Sequence, residues 1–82
     1  MIALKPENVV DVLFGNRLRQ LLDERNISQA HFADRIGVSR SRMNNYVAQR
    51  SEPDYATLIR IANTLDTTID FLLGKSEYQG LP

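Results

Sequence analysis

The stretch GVSRSRMNNYVAQR, residues 37 to 50, places the polar side chains of Arg40, Ser41, Arg42, Asn44 and Asn45 ahead of Tyr46 and Val47. Arginine can donate two hydrogen bonds to guanine O6 and N7, and asparagine can pair with adenine N6 and N7. These residue types therefore suit base edges in a DNA major groove. On a helix of about 3.6 residues per turn, positions 40, 41, 44, 45 and 48 share one face, while 43, 46 and 47 turn the other way. The outer face carries no large apolar residue, whereas a protein-binding helix offers apolar anchors at i, i+3, i+4 and i+7. Arg40, Ser41, Asn44 and Asn45 are thus expected to face solvent and read bases. Arg42 lies at the edge of that face and is assigned to phosphate.

Such a helix must be held by others. Ser39 stands where an N-cap would, because a short hydroxyl can accept from the unpaired amides of the next turn. The helix is expected over residues 40 to 47, with Met43, Tyr46 or Val47 anchoring it to Phe32, Ile36 and Leu58. Before it, QAHFADRI reads as a helix capped by Ser28 and left through Gly37, which adopts the left-handed conformation without steric cost. Two short helices across a glycine turn form a helix-turn-helix arrangement. Both N-termini, at Ser28 and Ser39, offer partial positive charge to phosphate, and Gln29 is the side chain best placed to clamp the DNA backbone there.

The flanking segments read as helices too. Val10, Leu13, Phe14, Leu18, Leu21 and Leu22 have three-and-four spacing, ending near Arg25 and Asn26. Gly15 interrupts them, leaving open one long helix or a short turn before a helix from about Phe14 to Arg25. Pro6 and Glu7 suit the first turn of a helix. Pro53 breaks the pattern, and Asp54 caps a helix whose buried face reads Tyr55, Leu58, Ile61, Ala62 and Leu65. Thr68 caps IDFLL, which Gly74 ends. Tyr55, Phe71, Leu72 and Leu73 are expected in the core. No segment alternates with the period of a half-buried strand, so the fold class is all-α.

The 82 residues allow one domain. Residues 1 to 12 form an N-terminal extension, 13 to 74 the helix-turn-helix domain and 75 to 82 a short tail. Cysteine is absent, which leaves no disulfide or thiolate metal site and fits a reducing compartment. His31 has no partners at ligand spacing, so no metal is expected, and no cofactor. Ser28, Ser39 and Ser41 lack the base and orienting acid of a nucleophile, so an enzyme is the poorest candidate. No apolar run approaches a membrane span, and the chain is expected to be cytoplasmic. Net charge is zero, yet residues 17 to 50 hold seven arginines against three acids, and the remainder holds the opposite surplus. A phosphate surface responds to the nearest face more than to the total. Arginines decorating a solvated helix are the plainer explanation of that run, and Arg17 and Arg19 are read that way.

At the level of motif, SQAHFADRIGVSRSRMNNY and LIRIANTLDTTIDFLLG, in that order and spacing, resemble the lambda-repressor-like, Cro/C1-type helix-turn-helix family, also called XRE-type regulators. The resemblance covers residues 17 to 74. It implies a compact five-helix bundle that binds operator DNA, commonly as a homodimer, in bacterial or phage-type settings close to the nucleoid. It further implies base contacts from Arg40, Ser41 and Asn45, with Asn44 beside them. Phosphate contacts are implied from Gln29 and from the loop Gln49, Arg50 and Ser51. Where many members have Glu-x-Gly after the recognition helix, this chain has Val47-Ala48-Gln49. Leu22 replaces a common arginine that pairs with that glutamate, and Asp66 occupies a usual glycine site.

Two functions follow. One is a sequence-specific regulator, a repressor by expectation, on a palindromic double-stranded DNA site with half-sites about 34 Å apart. The other is a protein-interaction module on the same scaffold, holding a toxin or an antirepressor. For the homodimer that the resemblance implies, Leu72 or Leu73 is an alternative to the core as a pairing surface on the last helix, and Val9, Val10 and Leu13 either cover the core or widen that contact.

Overall fold

The computed structural model describes the backbone of residues 6–75 and the side chains of residues 14–75. Among them are five helices and no strand: α1 (Pro6–Glu24), α2 (Gln29–Ile36), α3 (Arg40–Val47), α4 (Tyr55–Thr64) and α5 (Ile69–Leu72). α1 runs through Gly15 without a break. The expectations for the side chains of Val9, Val10 and Leu13, and for residues 76 to 82, lie outside the described residues.

Each of the four later helices starts on a side-chain cap. The Ser28, Ser39, Asp54 and Thr68 oxygens accept from the amides of His31, Arg42, Thr57 and Phe71 at 3.0, 3.0, 2.8 and 3.0 Å. All five helices end in the same way, with paired bonds running back across a left-handed residue. After α2, Gly37 has φ 75° and the Val38 amide donates to the Ala33 carbonyl at 3.0 Å. After α3 the left-handed residue is Gln49 (φ 64°), and the Arg50 amide donates to the Asn45 carbonyl at 2.9 Å. Asn26, Asp66 and Gly74 serve α1, α4 and α5 with φ of 56°, 51° and 80°. Three of the five exits therefore use side-chain-bearing residues, and Gln49 is the least suited of them to this conformation.

Leu18, Leu21 and Leu22 of α1, Phe32, Ala33 and Ile36 of α2, Met43, Tyr46 and Val47 of α3, Ile61 and Ala62 of α4, and Phe71 and Leu72 of α5 share one core. Leu22 and Val47 are both buried, so two apolar side chains stand where an ion pair was the alternative. Full burial of a leucine contributes about 1.5–3 kcal/mol, and a packed apolar pair loses little against a buried ion pair. The Arg17 guanidinium lies 4.2 Å from the centroid of the Phe71 ring and ties α1 to α5.

One expectation for the core is corrected. Tyr55 is 72% exposed, and Thr57 is buried in its stead. The inward stripe of α4 centres on Thr57, Ile61 and Leu65, and at about 100° per residue Tyr55 lies about 120° round from Ile61. Leu58, at the edge of that stripe, is half-buried, as is Leu73, whereas Leu72 is fully enclosed. A pairing surface on α5 cannot therefore draw on Leu72 without opening the core.

Candidate nucleic-acid interface

α3 divides as its sequence implies. Met43, Tyr46 and Val47 point into the core, while Arg40, Ser41, Arg42 and Asn44 are exposed and Asn45 is half-buried. The buried side fixes the helix and leaves its polar side uncovered. Ser39 anchors the start, its Oγ occupied by the Arg42 amide, and Ser28 does the same for α2. Gln29, next to that cap, is half-buried.

Several of these side chains already have partners. Arg40 donates through Nε to Asp34 Oδ1 at 3.3 Å and through Nη2 to Asp34 Oδ2 at 2.8 Å. That hydrogen bonding, and the charge of Arg40, hold the Asp34 carboxyl below the usual carboxylate range and push the Arg40 guanidinium further up. Asn45 Oδ1 accepts from Arg50 Nε at 3.1 Å, so the last turn of α3 and the following loop are joined through two of the candidate residues. Gln49 Oε1 accepts from the Gly15 amide at 3.3 Å, so this side chain is committed to α1 as well as available at the surface. Arg50 and Ser51 are exposed.

Gly15 shows how closely α1 approaches this loop. A Cβ built on it would lie 2.5 Å from Gln49 Cγ and 2.6 Å from the Val47 carbonyl oxygen. On the other side, Arg60 of α4 donates through Nη1 to the Ile36 carbonyl at 2.8 Å and holds the end of α2 ahead of the turn. Asp54 completes the loop: hydrogen bonds from the Thr57 hydroxyl and amide lower its pKa, with Arg42 and Arg60 adding charge attraction. Asp34, Gly15 and Arg60 were not among the sequence candidates. Gly15 gave a signal, since glycine inside a helical pattern marks a close approach; an exposed aspartate and an exposed arginine gave none.

An open depression of about 450 Å³ lies beside the loop, between Phe14, Pro53, Leu58 and Leu73. Among the described residues there is no group of three or more His, Cys, Asp or Glu side chains that could hold a metal ion, and no helix long and apolar enough to cross a membrane.

Two capped helices across a left-handed glycine, the second held by its apolar side and open on its polar side, define a helix-turn-helix domain. The chain belongs to the XRE-type helix-turn-helix family, whose profile matches residues 18–72. It is 36% identical over 61 residues to the uncharacterized HTH-type transcriptional regulator YqaE of Bacillus subtilis (strain 168), covering 74% of this chain and 53% of that protein. It is likewise 36% identical over 61 residues to the SPbeta prophage-derived uncharacterized HTH-type transcriptional regulator YonR of the same organism, covering 74% and 56%. The chain thus spans about half the length of the curated relatives it matches. The solution structure of the SOS-response transcriptional repressor LexA from Eubacterium rectale superposes with a TM-score of 0.76 at 19% identity, covering 89% of this chain and 80% of that one. That likeness shows the fold. The family is one of transcriptional regulators and not of enzymes.

Proposed function

We propose that this chain is a sequence-specific double-stranded DNA-binding transcriptional regulator that inserts α3 into the major groove. The observation that carries the reading is the exposed polar face of a helix whose opposite side is locked in the core. Arg40, Ser41, Asn44 and Asn45 read base edges from that face. Arg42, Arg50, Ser51 and Gln29 meet phosphate, aided by the amide ends of α2 and α3 at Ser28 and Ser39. Gln49 meets phosphate from the loop while its amide oxygen stays on Gly15. The relatives named as HTH-type transcriptional regulators support the class of activity.

A domain this small reads only a few base pairs, so a homodimer on a palindromic operator supplies the remaining specificity. Repression is the direct outcome, because a protein seated in the groove excludes others from the same site. Selection from a randomised duplex library at near-physiological salt tests the proposal, with an Arg40→Ala, Asn45→Ala double variant alongside. The parent is expected to enrich a palindrome and the variant to enrich nothing. A folded parent that enriches no sequence would overturn the proposal and turn attention to a toxin-like or antirepressor-like protein partner.

A further inference from the structure

Arg40 is the guanine-reading candidate of α3, and its donors are already partly engaged. Asp34, in the last turn of α2, reaches across the Gly37 turn and takes the Nε and Nη2 donors at 3.3 and 2.8 Å. Both side chains lie open to water, at 67% exposure for Arg40 and 57% for Asp34. An ion pair this exposed adds little to the stability of a fold, so bracing the turn is a poor account of it. Its geometric consequence is larger. A guanidinium has several N–H donors in a rigid planar fork. The carboxylate occupies the inner edge, Nε and one N–H of Nη2. The outer edge, Nη1 and the other N–H of Nη2, keeps two parallel donors, which is the pattern that matches guanine O6 and N7.

We infer that Asp34 is a positioning and specificity-determining residue for base reading: its carboxylate clamps the inner edge of the Arg40 guanidinium and presents the outer edge to the groove in a fixed plane. The inference rests on the reading of α3 as the base-contacting helix. Two effects follow from the clamp. Ordering a long side chain before binding removes part of the entropy loss that binding would otherwise incur. A clamped arginine also cannot swing to the nearest phosphate, a contact that any sequence offers equally, and the carboxylate itself repels phosphate. Asp34 therefore lowers affinity for random DNA and raises preference for guanine at one position of each half-site. Specificity is the difference between those two affinities.

The test is competition binding at near-physiological salt, using the selected duplex and the set of its single base-pair substitutions. The proteins are the parent, Asp34→Asn, Asp34→Ala, Arg40→Ala and the Asp34→Asn, Arg40→Ala double variant, each checked for helical content. Expected for Asp34→Asn and Asp34→Ala is a loss of about tenfold in discrimination at one base pair, the one where Arg40→Ala loses its own, with equal or tighter binding to random DNA. The double variant should lose no more there than Arg40→Ala alone. A residue that merely braced the turn would weaken binding to every sequence alike and leave that ratio untouched. Should the Asp34 variants discriminate like the parent where Arg40→Ala does not, the inference falls and base reading by α3 stands. Should Arg40→Ala lose discrimination nowhere, Arg40 reads no base and the inference falls; base reading by α3 falls with it only if the Arg40→Ala, Asn45→Ala double variant also keeps the parent's preference.

Discussion

Replacing Gly15 with alanine sets two physical effects against each other at the point where α1 meets the end of α3. Helix propensity favours alanine over glycine inside a helix by about 1 kcal/mol. The structure opposes it, because the new Cβ would lie 2.5 Å from Gln49 Cγ and 2.6 Å from the Val47 carbonyl oxygen. The Gln49 side chain can swing away, at the loss of the bond it accepts from the Gly15 amide, about 1 kcal/mol. The Val47 carbonyl belongs to the last turn of α3, so it retreats only if that end of the helix moves off α1. Forcing an extra methyl into packed surroundings costs about 1–3 kcal/mol. The gain in propensity and the lost hydrogen bond cancel, so the net expectation is a loss of about 1–3 kcal/mol, which in a domain of this size lowers Tm by about 4–24 °C. Thermal unfolding followed by far-UV circular dichroism reads this directly. In a Gln49→Gly background the side-chain clash is gone and the carbonyl clash remains, so Gly15→Ala should still destabilise. No loss of Tm on Gly15→Ala in either background, each double or single variant measured against its own Gly15 form, would refute the close approach of α1 to the loop that follows the recognition helix.

Two further outcomes are expected. The folded-state pKa values of Asp34 and Asp54 lie below the ordinary aspartate value, so the stability they supply is present above about pH 3.9 and lost as pH falls through their lower folded values. Asp54→Asn keeps a competent N-cap but removes one titrating group; its acid unfolding curve should fall less steeply than the parent's, and parallel curves would contradict the assignment. Ser39→Ala removes the cap of α3, and should lower stability by about 1 kcal/mol in a thermal melt and weaken binding to all duplexes alike. Unchanged stability would show that the hydroxyl does not hold the start of the helix.

The boundaries of α2, α3, α4 and α5 are legible in the sequence because their starts are written in Ser28, Ser39, Asp54 and Thr68, whose side chains cap locally. The exits at Gly37 and Gly74 are legible for the same reason: only the residue's own backbone freedom is involved. Gln49 is different. Nothing in its type announces a left-handed conformation, and its side-chain partner, Gly15, lies 34 residues away. Tyr55 misled because it shares three-residue spacing with Leu58 but stands at the margin of a stripe whose centre is set by what packs against α4. The polar face of α3 was readable from periodicity and residue type. The partners that orient it, Asp34 on Arg40 and Arg50 on Asn45, were not, since an exposed charge carries no mark of what it touches.

Base reading by α3 and phosphate contact by the residues around it are separable roles, and binding measured at two salt concentrations distinguishes them. The selected duplex and a scrambled one would be titrated at about 50 and 200 mM salt with the parent and with the Arg40→Ala, Asn45→Ala double variant. Affinity of both proteins should fall steeply with salt on either duplex, because the phosphate contacts remain. The preference of the parent for the selected duplex should persist at both salts, and that of the double variant should vanish. A double variant that retains the preference would show that α3 does not read the bases, and a parent whose affinity ignores salt would show that its surroundings do not hold phosphate.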